Sequence, residues 1–322
     1  MAKEKKRFLI IDGNSIIHRA YHALPPLTTK KGELVNALYG FLLVFFKAIK
    51  DFQPDYIAAA FDFPAPTFRH RKYKEYKAKR PPMPKELSFQ IPKIKKILKA
   101  FTVPIFEKQG FEADDIIASL AQSLVEARKE NKKFSFIKKI IISGDSDLLQ
   151  LIDEKTQVYL LKKGIKETVL YDKNLVGKKF QGLSPEQILD LKALKGDASD
   201  NIPGVAGVGE KTALKLILEF GNLENIYKEI EKNSEKAESL KPKIKKTLLD
   251  QKKIAFLSKD LVKIDKNIPL EIDLEKFFWK NYDKEKVSHI LKEFEFYSLL
   301  NHFSRIDEKK DKKEKKENLK LW

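Results

Sequence analysis

The sequence contains no cysteine, so the chain can form neither a disulfide framework nor a thiolate nucleophile. This absence fits a reducing cytoplasm. Long hydrophobic runs are also missing: the most apolar stretch, residues 37–49, is too short to span a bilayer and indicates a core helix. Only four apolar residues separate the N-terminal basic run from Asp12, too few for a signal peptide. We therefore expect a cytoplasmic protein without a membrane partner.

Acidic residues are in the minority. Lys and Arg together number 64 against 46 Asp and Glu, which gives the 322 residues a formal charge of +18. Such an excess favours a polyanionic partner, either nucleic acid or an anionic surface. The length suffices for one large domain or two smaller ones.

Three apolar runs end on an aspartate. The runs are residues 8–11, 56–61 and 140–142, and Asp12, Asp62 and Asp145 follow them. Runs of this length and composition predict buried strands, and the helix-like segments between them predict parallel pairing. Because ligands collect beyond the carboxyl ends of parallel strands, we expect the three carboxylates to meet at one edge of the sheet.

Further acids extend this pattern. A predicted helix from residue 116 to 127 has acids in its first turn, Asp147 lies two positions past Asp145, and another pair is spaced i, i+3 so that a helical turn would direct both the same way. The additional acids are Glu112, Asp114, Asp115, Asp147, Asp197 and Asp200. Taken singly, each could be an ordinary cap or turn residue. Together they favour a Mg²⁺ or Mn²⁺ site, because hard oxygen ligands without Cys or His select these ions.

A basic segment runs from Arg69 to Arg80. It holds seven Lys or Arg residues and one acid, interleaved with tyrosines. The spacing predicts a helix that ends at Pro81–Pro82 and whose one face carries Arg69, Tyr73, Tyr76 or Lys77, and Arg80. Cations alternating with aromatic rings suit single-stranded nucleic acid. A solvated basic helix is the alternative.

Residues 201–213 are rich in glycine. No strand is predicted before them, and Glu210 separates Gly209 from Lys211, so neither a P-loop nor a dinucleotide fingerprint fits. We predict two helices joined by a glycine hairpin, with Asp200 ending the first helix and Lys211 beginning the second. Free N–H groups there can hold a backbone phosphate. An ordinary turn between helices is the alternative.

The ordered motifs at Asp12–Asn14, Phe61–Asp62, Glu112–Asp115, Gly144–Asp147 and Gly196–Gly204 resemble the 5′-nuclease domain of bacterial DNA polymerase I, and with it the 5′-3′ exonuclease and flap endonuclease family. The resemblance covers about residues 7–303. It implies an α/β, PIN-like sheet flanked by helices over residues 1–190, with a helical arch at about 68–90. A helical helix–hairpin–helix module over 191–303 and a charged tail over 304–322 complete the expected organisation.

The resemblance also implies roles for individual residues. Asp12, Asp62, Glu112 and Asp114 would hold a first Mg²⁺, and Asp145, Asp147, Asp197 and Asp200 a second, with Asp115 near both. Mn²⁺ could replace these ions, and a monovalent cation could bind the glycine hairpin. Lys77 and Arg80 would act with Asp12, Asp62, Asp145 and Asp197 in catalysis. The residues expected to contact DNA are Arg19, Tyr21, Arg69, Lys72, Tyr73, Gly204, Gly207, Gly209, Lys211 and Thr212.

The implied activity is that of a structure-specific 5′-3′ exonuclease and 5′-flap endonuclease in DNA replication and repair, including Okazaki fragment and primer processing. Its partners would be DNA with a 5′ flap, nick or 5′ end, or the RNA 5′ end of a primer, and a DNA polymerase. A monomer in the bacterial cytoplasm, associated with the nucleoid, is expected. The chain departs from the pattern in having Ala206 in place of a proline and no following polymerase domain, so it is either a free-standing nuclease or truncated.

Three other functions remain open from the residues. A non-catalytic DNA binder would use the basic surface and the hairpin but leaves the carboxylates unexplained. A ribonuclease of the wider PIN class would need neither the hairpin module nor the arch. A phosphatase with Asp12 as nucleophile is disfavoured, because Asn14 stands where a second acid would be required.

Overall fold

The computed structural model describes residues 6–130, 137–279 and 282–304. A six-stranded sheet has the strand order β3-β2-β1-β4-β5-β6. All of its pairings are parallel except that of β5 with β6. The strands are β1 (Arg7–Asp12), β2 (Tyr56–Ala60), β3 (Ile105–Phe106), β4 (Lys138–Ser143), β5 (Thr156–Leu161) and β6 (Thr168–Tyr171). This sheet with helices around it confirms the predicted α/β class.

Helices account for most of the remaining described chain. They are α1 (Gly13–Ala23), α2 (Asn36–Phe52), α3 (Phe68–Lys72), α4 (Lys85–Ser88), α5 (Ile91–Ala100), α6 (Ala113–Glu130), α7 (Lys173–Lys179), α8 (Gln187–Lys195), α9 (Glu210–Phe220), α10 (Leu223–Glu231), α11 (Glu235–Glu238), α12 (Pro242–Asp250), α13 (Lys252–Val262) and α14 (Lys284–Glu293). Two 3₁₀ helices span Ser146–Leu151 and Leu274–Phe277. In the described part of the chain, none of these helices is both long and hydrophobic enough to traverse a bilayer.

The central strands are apolar on both faces because helices cover both sides of the sheet. Leu9 and Ile11 of β1 point into a core shared with α1, α2 and α5. Phe8 and Ile10 alternate to the other face, where α6 packs. Every residue of β1 after the first is buried, and so is all of β2. The aspartates that follow these strands are therefore carried by rigid, fully packed elements.

The C-terminal helices form a second core, built from α8 to α13. The predicted boundary at residue 190 falls inside α8. After α13 the chain turns back: Ile264 and Phe277 join the core beneath α6, and Leu291 and Phe303 join the core beneath α5. The helical module is thus shorter than the predicted 191–303, because its last forty or so residues cover the α/β sheet.

Two local predictions need correction. The basic segment is not one helix from Arg69 to Arg80: α3 ends at Lys72, and Lys77 has a left-handed φ of 55° within a run of turns. The helix before the glycine hairpin ends at Lys195, five residues ahead of Asp200. β5 and β6 pair antiparallel and form a hairpin. Of the tail predicted over 304–322, residues 305–322 lie outside the described residues.

A buried ion pair joins the parts of the molecule. The Arg69 guanidinium donates two bonds to Asp115, at 2.6 and 2.7 Å, and further bonds to the carbonyls of Leu261 and Lys263. Asp115 also accepts from the backbone of Asp265, at 2.9 Å. Arg69 is 2% exposed and Asp115 is fully buried. The pair therefore ties α3 and α6 to the end of the helical module.

We expect Arg69→Met to lower the free energy of unfolding by about 3–5 kcal/mol, because it leaves the Asp115 carboxylate buried without a cation. Urea unfolding followed by circular dichroism measures this. Lys72→Met is the matched control: Lys72, on the same helix, pairs with Asp260 at the surface, so it should lose about 1 kcal/mol or less. Equal losses in the two variants would contradict the role assigned to the buried pair.

Candidate active site

The carboxyl ends of β1, β2 and β4 open into one cleft of about 600 Å³. Six of the nine predicted metal-binding acids line it, together with the two predicted catalytic cations. The acids are Asp12, Asp62, Glu112, Asp114, Asp145 and Asp200, and the cations are Lys77 and Arg80. The predicted convergence at one edge of the sheet is therefore present in the structure.

Asp12 is held rigidly where β1 ends. Its side chain caps α1 by accepting from the Ser15 N–H, at 3.1 Å, and it accepts a second bond from the Ser143 hydroxyl, at 2.5 Å. The pKa of this carboxyl is raised to about 7. Burial is the largest cause, the two hydrogen bonds partly oppose it, and the nearby charges of Asp62 and Asp145 add to the rise. Without a bound cation, the Asp12 carboxyl would therefore keep its proton up to a pH well above that at which an aspartate usually ionises.

Asp62 connects β2 to the start of α6. One of its oxygens accepts from the Ala113 N–H at 2.8 Å, and its own N–H donates to Asn14 at 3.1 Å. The first turn of α6 carries Asp114 into the same cleft. Burial, followed by the charges of Asp145, Asp12 and Glu112, raises the pKa of Asp114 well above its ordinary value. Desolvation is the largest cause of the pKa shifts of both Asp12 and Asp114, and the neighbouring carboxylates add to it.

Asp145, Asp147 and Asp197 form the other side of the acidic cluster, the set of predicted metal-binding acids in and beside the cleft. Asp145 caps the short 3₁₀ helix by accepting from the Asp147 N–H, at 2.8 Å. Lys192 of α8 bridges Asp147 and Asp197. The pKa of Asp147 rises to about 6 because burial and Asp145 outweigh Lys192. The pKa of Asp197 falls to about 2, because bonds from Lys192 and Ser199 outweigh the effect of its burial.

The basic segment folds over the cleft. The Lys77 Nζ lies 3.0 Å from Glu112 and 3.8 Å from Asp200, and Arg80 also pairs with Asp200. The Tyr76 hydroxyl bonds to Glu112 at 3.0 Å and to Asp200 at 3.1 Å. The two predicted catalytic cations therefore neutralise two of the predicted metal ligands in this conformation.

The donor chemistry of the cleft fits hard divalent cations, since carboxylate oxygens are its main polar groups. Within the described residues, however, no three acidic or histidine side chains are gathered closely enough to hold an ion as they stand. Positive charge comes from Lys77, Arg80 and Lys192 instead. For divalent ions to bind there, these three cationic side chains would have to release the carboxylates that they pair with.

Several predicted site residues have other contacts. Asp115 cannot be a free metal ligand, and Arg69 cannot reach DNA, because each is buried against the other. Arg19 donates to the carbonyls of Gly144 and Lys162 and so braces the loop after β4. The remaining arch residues are nearer the surface: Lys72 pairs with Asp260, and Tyr73 packs partly buried beside Tyr76. Tyr21 is partly buried against the core and contacts the His22 ring.

Asp197 and Asp200 are not on one helical turn. Asp197 makes an isolated β-bridge with Ile202, and the two carboxylates bond to different cations, Lys192 and Arg80. The i, i+3 argument assumed a helix, whereas Gly196 ends α8 with a φ of 76°. The turn still delivers both acids to the acidic cluster.

The glycine hairpin has a buried and an exposed part. Gly204 is buried, and a Cβ there would meet the backbone of Gly196 at 2.2 Å, so this position serves close packing and its N–H already donates to Ser258. Gly207, Gly209 and Lys211 are exposed beside the start of α9, and Thr212 is partly so. The Ala206 N–H bonds to Gln251 at 2.8 Å, a bond that proline could not make.

Sequence reasoning assigned no role to His18, His22 and Lys192. His18 and His22 line the cleft beside Asn14, and Lys192 bridges two of its acids. The two histidines are one turn apart on the helix that Asp12 caps, so their spacing from Asp12 carried a signal. Burial, then the charges of His22 and Arg80, lowers the pKa of His18. Lys192 precedes Asp197 by five residues and gave no local signal.

Two protein-family models together match most of the chain. Residues 7–181 match the 5′-3′ exonuclease N-terminal resolvase-like domain, and residues 183–285 match the 5′-3′ exonuclease C-terminal SAM fold. DNA polymerase I of Bacillus caldotenax is 41% identical over 308 residues, which is 96% of this chain and 33% of the relative. The 5′-3′ exonuclease of Aquifex aeolicus is 41% identical over 301 residues, 94% of this chain and 96% of the relative. The chain spans about a third of the length of the polymerase relatives.

Two solved structures share the fold. The bacteriophage T5 D15 flap endonuclease, in a complex with DNA and metal ions, has a TM-score of 0.59 and 23% identity, covering 80% of this chain and 89% of that one. The catalytic core of Rad2, in complex with DNA substrate, has a TM-score of 0.55 and 20% identity, covering 91% and 88%. At these identities the likeness concerns the fold alone.

We expect Asp12→Asn to stabilise the metal-free protein at pH 8. A carboxyl pKa of about 7 in the fold, against 3.8 in the unfolded chain, means that the folded state binds more protons between these values, so stability falls as the pH rises through them. The difference corresponds to at most about 4 kcal/mol. Thermal unfolding in EDTA should show a Tm roughly 5 °C higher at pH 8 and a smaller gain at pH 5.

Asp283→Asn is the control for this comparison, because Asp283 caps α14 at an exposed position, where asparagine caps as well. Its Tm difference should stay the same at both pH values. An Asp12→Asn variant that is no more stable than the wild type at pH 8 would contradict the raised pKa of the Asp12 carboxyl.

Proposed function

The chain belongs to the 5′-3′ exonuclease family, and from this premise we propose that it hydrolyses DNA phosphodiesters at 5′ ends and 5′ flaps with two divalent cations, Mg²⁺ in the first place. The observation that carries the proposal is the cleft in which six acids meet two cations at the carboxyl edge of the sheet. A catalytically silent DNA-binding protein would have no use for such a costly concentration of charge.

Two groups of acids would hold the ions. Asp12, Asp62, Glu112 and Asp114, which all line the cleft, would hold one ion. Asp145 and Asp200, which also line it, would hold the other together with Asp147 and Asp197, the two acids that Lys192 bridges. Ions bound there would supply water activation and stabilisation of the leaving oxygen, the chemistry of two-metal phosphodiester hydrolysis. The protein's own part is rigid placement: Asp12 and Asp145 are fixed by caps, and Asp62 by the start of α6.

Lys77 and Arg80 would turn from carboxylates to phosphate. In the present conformation they are paired with Glu112 and Asp200. Once other cations satisfy those acids, both side chains are available to the negative charge that grows on the phosphate in the transition state. Their segment has little regular structure beyond Lys72, which allows such a reorientation.

The remaining contacts would position DNA without reading sequence. The exposed start of α9, with Gly207, Gly209, Lys211 and Thr212, can hold a backbone phosphate and a monovalent cation. Lys72 and Tyr73 lie along the basic segment that leads to the cleft. We further propose a monomer that acts in the bacterial cytoplasm at the nucleoid, beside a DNA polymerase, on flaps, nicks and primer 5′ ends during Okazaki fragment processing and repair.

Asp145→Ala should lower cleavage of an end-labelled 5′-flap duplex by about 10²-fold or more, because losing one ligand removes several kcal/mol of transition-state stabilisation. DNA affinity, measured by fluorescence anisotropy in Ca²⁺, should change little. Asp283→Asn serves again as the acid-to-amide control. Cleavage that persists in EDTA, or near-normal turnover of Asp145→Ala, would favour a metal-independent activity or a non-catalytic role.

Lys77→Ala should reduce single-turnover cleavage by about 10²-fold while changing duplex affinity by less than about threefold. The reason is that Lys77 faces the acidic cleft and not the exposed hairpin. Lys79→Ala is the matched control, since Lys79 is an exposed cation of the same turn. Equal losses of cleavage and binding in Lys77→Ala would assign the segment to general phosphate contact.

A further inference from the structure

Lys192 lies between two acids of the cluster, and none of the roles expected from the sequence includes this lysine. Its Nζ bonds to Asp147 and lies 2.5 Å from Asp197. The three side chains are 13%, 21% and 12% exposed, respectively. A pair this well removed from water is held more strongly than a surface salt bridge, because solvent screens it less. Lys192 is thus the resident cation of these two carboxylates.

Lys192 differs from the other cations of the cluster in the backbone element that carries it. Lys77 and Arg80 stand on the segment of turns after α3. Lys192 stands in the middle of α8, which packs against α13 and against the 3₁₀ helix that carries Asp147. The backbone at Lys192 cannot withdraw without breaking this packing. Only its side chain can move, by rotation about its aliphatic stem.

The lysine and a divalent ion would need the same oxygen atoms. An ammonium group donates one hydrogen bond to each carboxylate, whereas a divalent ion coordinates the oxygens directly at a shorter distance and brings twice the charge. We propose that Lys192 is an internal counterion that holds Asp147 and Asp197 together in the metal-free protein and competes with a divalent cation for them. This inference rests on the proposed function.

The competition has a measurable consequence. Entry of an ion at this side of the cluster must first displace the lysine, which weakens binding there and sets a threshold cation concentration for full occupancy. The same lysine stabilises the metal-free fold, because Asp147 and Asp197 would otherwise repel each other. Removing the positive charge should therefore tighten cation binding and destabilise the metal-free protein at once, two effects that a purely structural lysine would not combine.

Lys192→Met tests this, because methionine keeps the aliphatic stem and removes the charge. In Mn²⁺ titrations of the full chain by calorimetry and electron paramagnetic resonance, we expect the weaker of the bound ions to bind about tenfold more tightly than in the wild type. In EDTA the Tm of Lys192→Met should be lower, and its rise on adding Mn²⁺ larger. Lys195→Met is the control: it removes a cation of the same helix whose partner, Glu210, is exposed.

Lys192→Arg provides a second variant that keeps the charge and the fold. Its guanidinium can bond both carboxylates bidentately, so Mn²⁺ should bind more weakly than in the wild type. Unchanged or weaker Mn²⁺ binding in a folded Lys192→Met, or unchanged binding in Lys192→Arg, overturns the competition. A wild-type chain that binds no Mn²⁺ at all refutes the proposed two-metal function instead, so the two failures are distinguishable.

Discussion

Parallel strands bring several carboxylates to one edge of the sheet, and the rest of the structure has to accommodate the repulsion among them. Asp12 is buried and Asp114 half-buried, and the pKa values of both are raised because desolvation and neighbouring acids oppose their ionisation. Such a cluster is stable only if positive charge accompanies it. Three side chains of the chain itself, Lys77, Arg80 and Lys192, supply positive charge to these acids. Each of them therefore links the stability of the fold to the state of the site.

The same constraint explains why the surrounding structure is so firmly anchored. The acids that must stay close together are carried by buried strands, helix caps and first helical turns. The cations that must move are carried by turns, as Lys77 and Arg80 are, or have a long flexible side chain, as Lys192 has. Arg69 and Asp115 belong to the anchored part, since their buried pair fastens the basic segment and α6 to the end of the helical module. A site that needs a costly arrangement is commonly supported in this way, with stability given up locally and recovered nearby.

Prediction from sequence succeeded where the signal was local and repeated. The strands before Asp12, Asp62 and Asp145 follow from short apolar runs of strand-like composition, and the helix with acids in its first turn follows from apolar residues at helical spacing. It failed where a segment with helical spacing met a tertiary demand. The run from Arg69 to Arg80 has good helical periodicity, yet it bends after Lys72 because Tyr76 and Lys77 bond to Glu112 and Asp200 across the cleft. Periodicity contains no information about partners in distant parts of the chain.

The sequence by itself determined the fold class, the parallel pairing of the acid-bearing strands and the family, because apolar runs and ordered motifs are properties of neighbouring residues. Only the tertiary structure decided how the charges are shared. It paired Arg69 with Asp115, assigning both to the interior, and it placed Lys192 between Asp147 and Asp197. An ion pair depends on distance and burial in three dimensions, and residues forty or more positions apart acquire both only when the chain has folded.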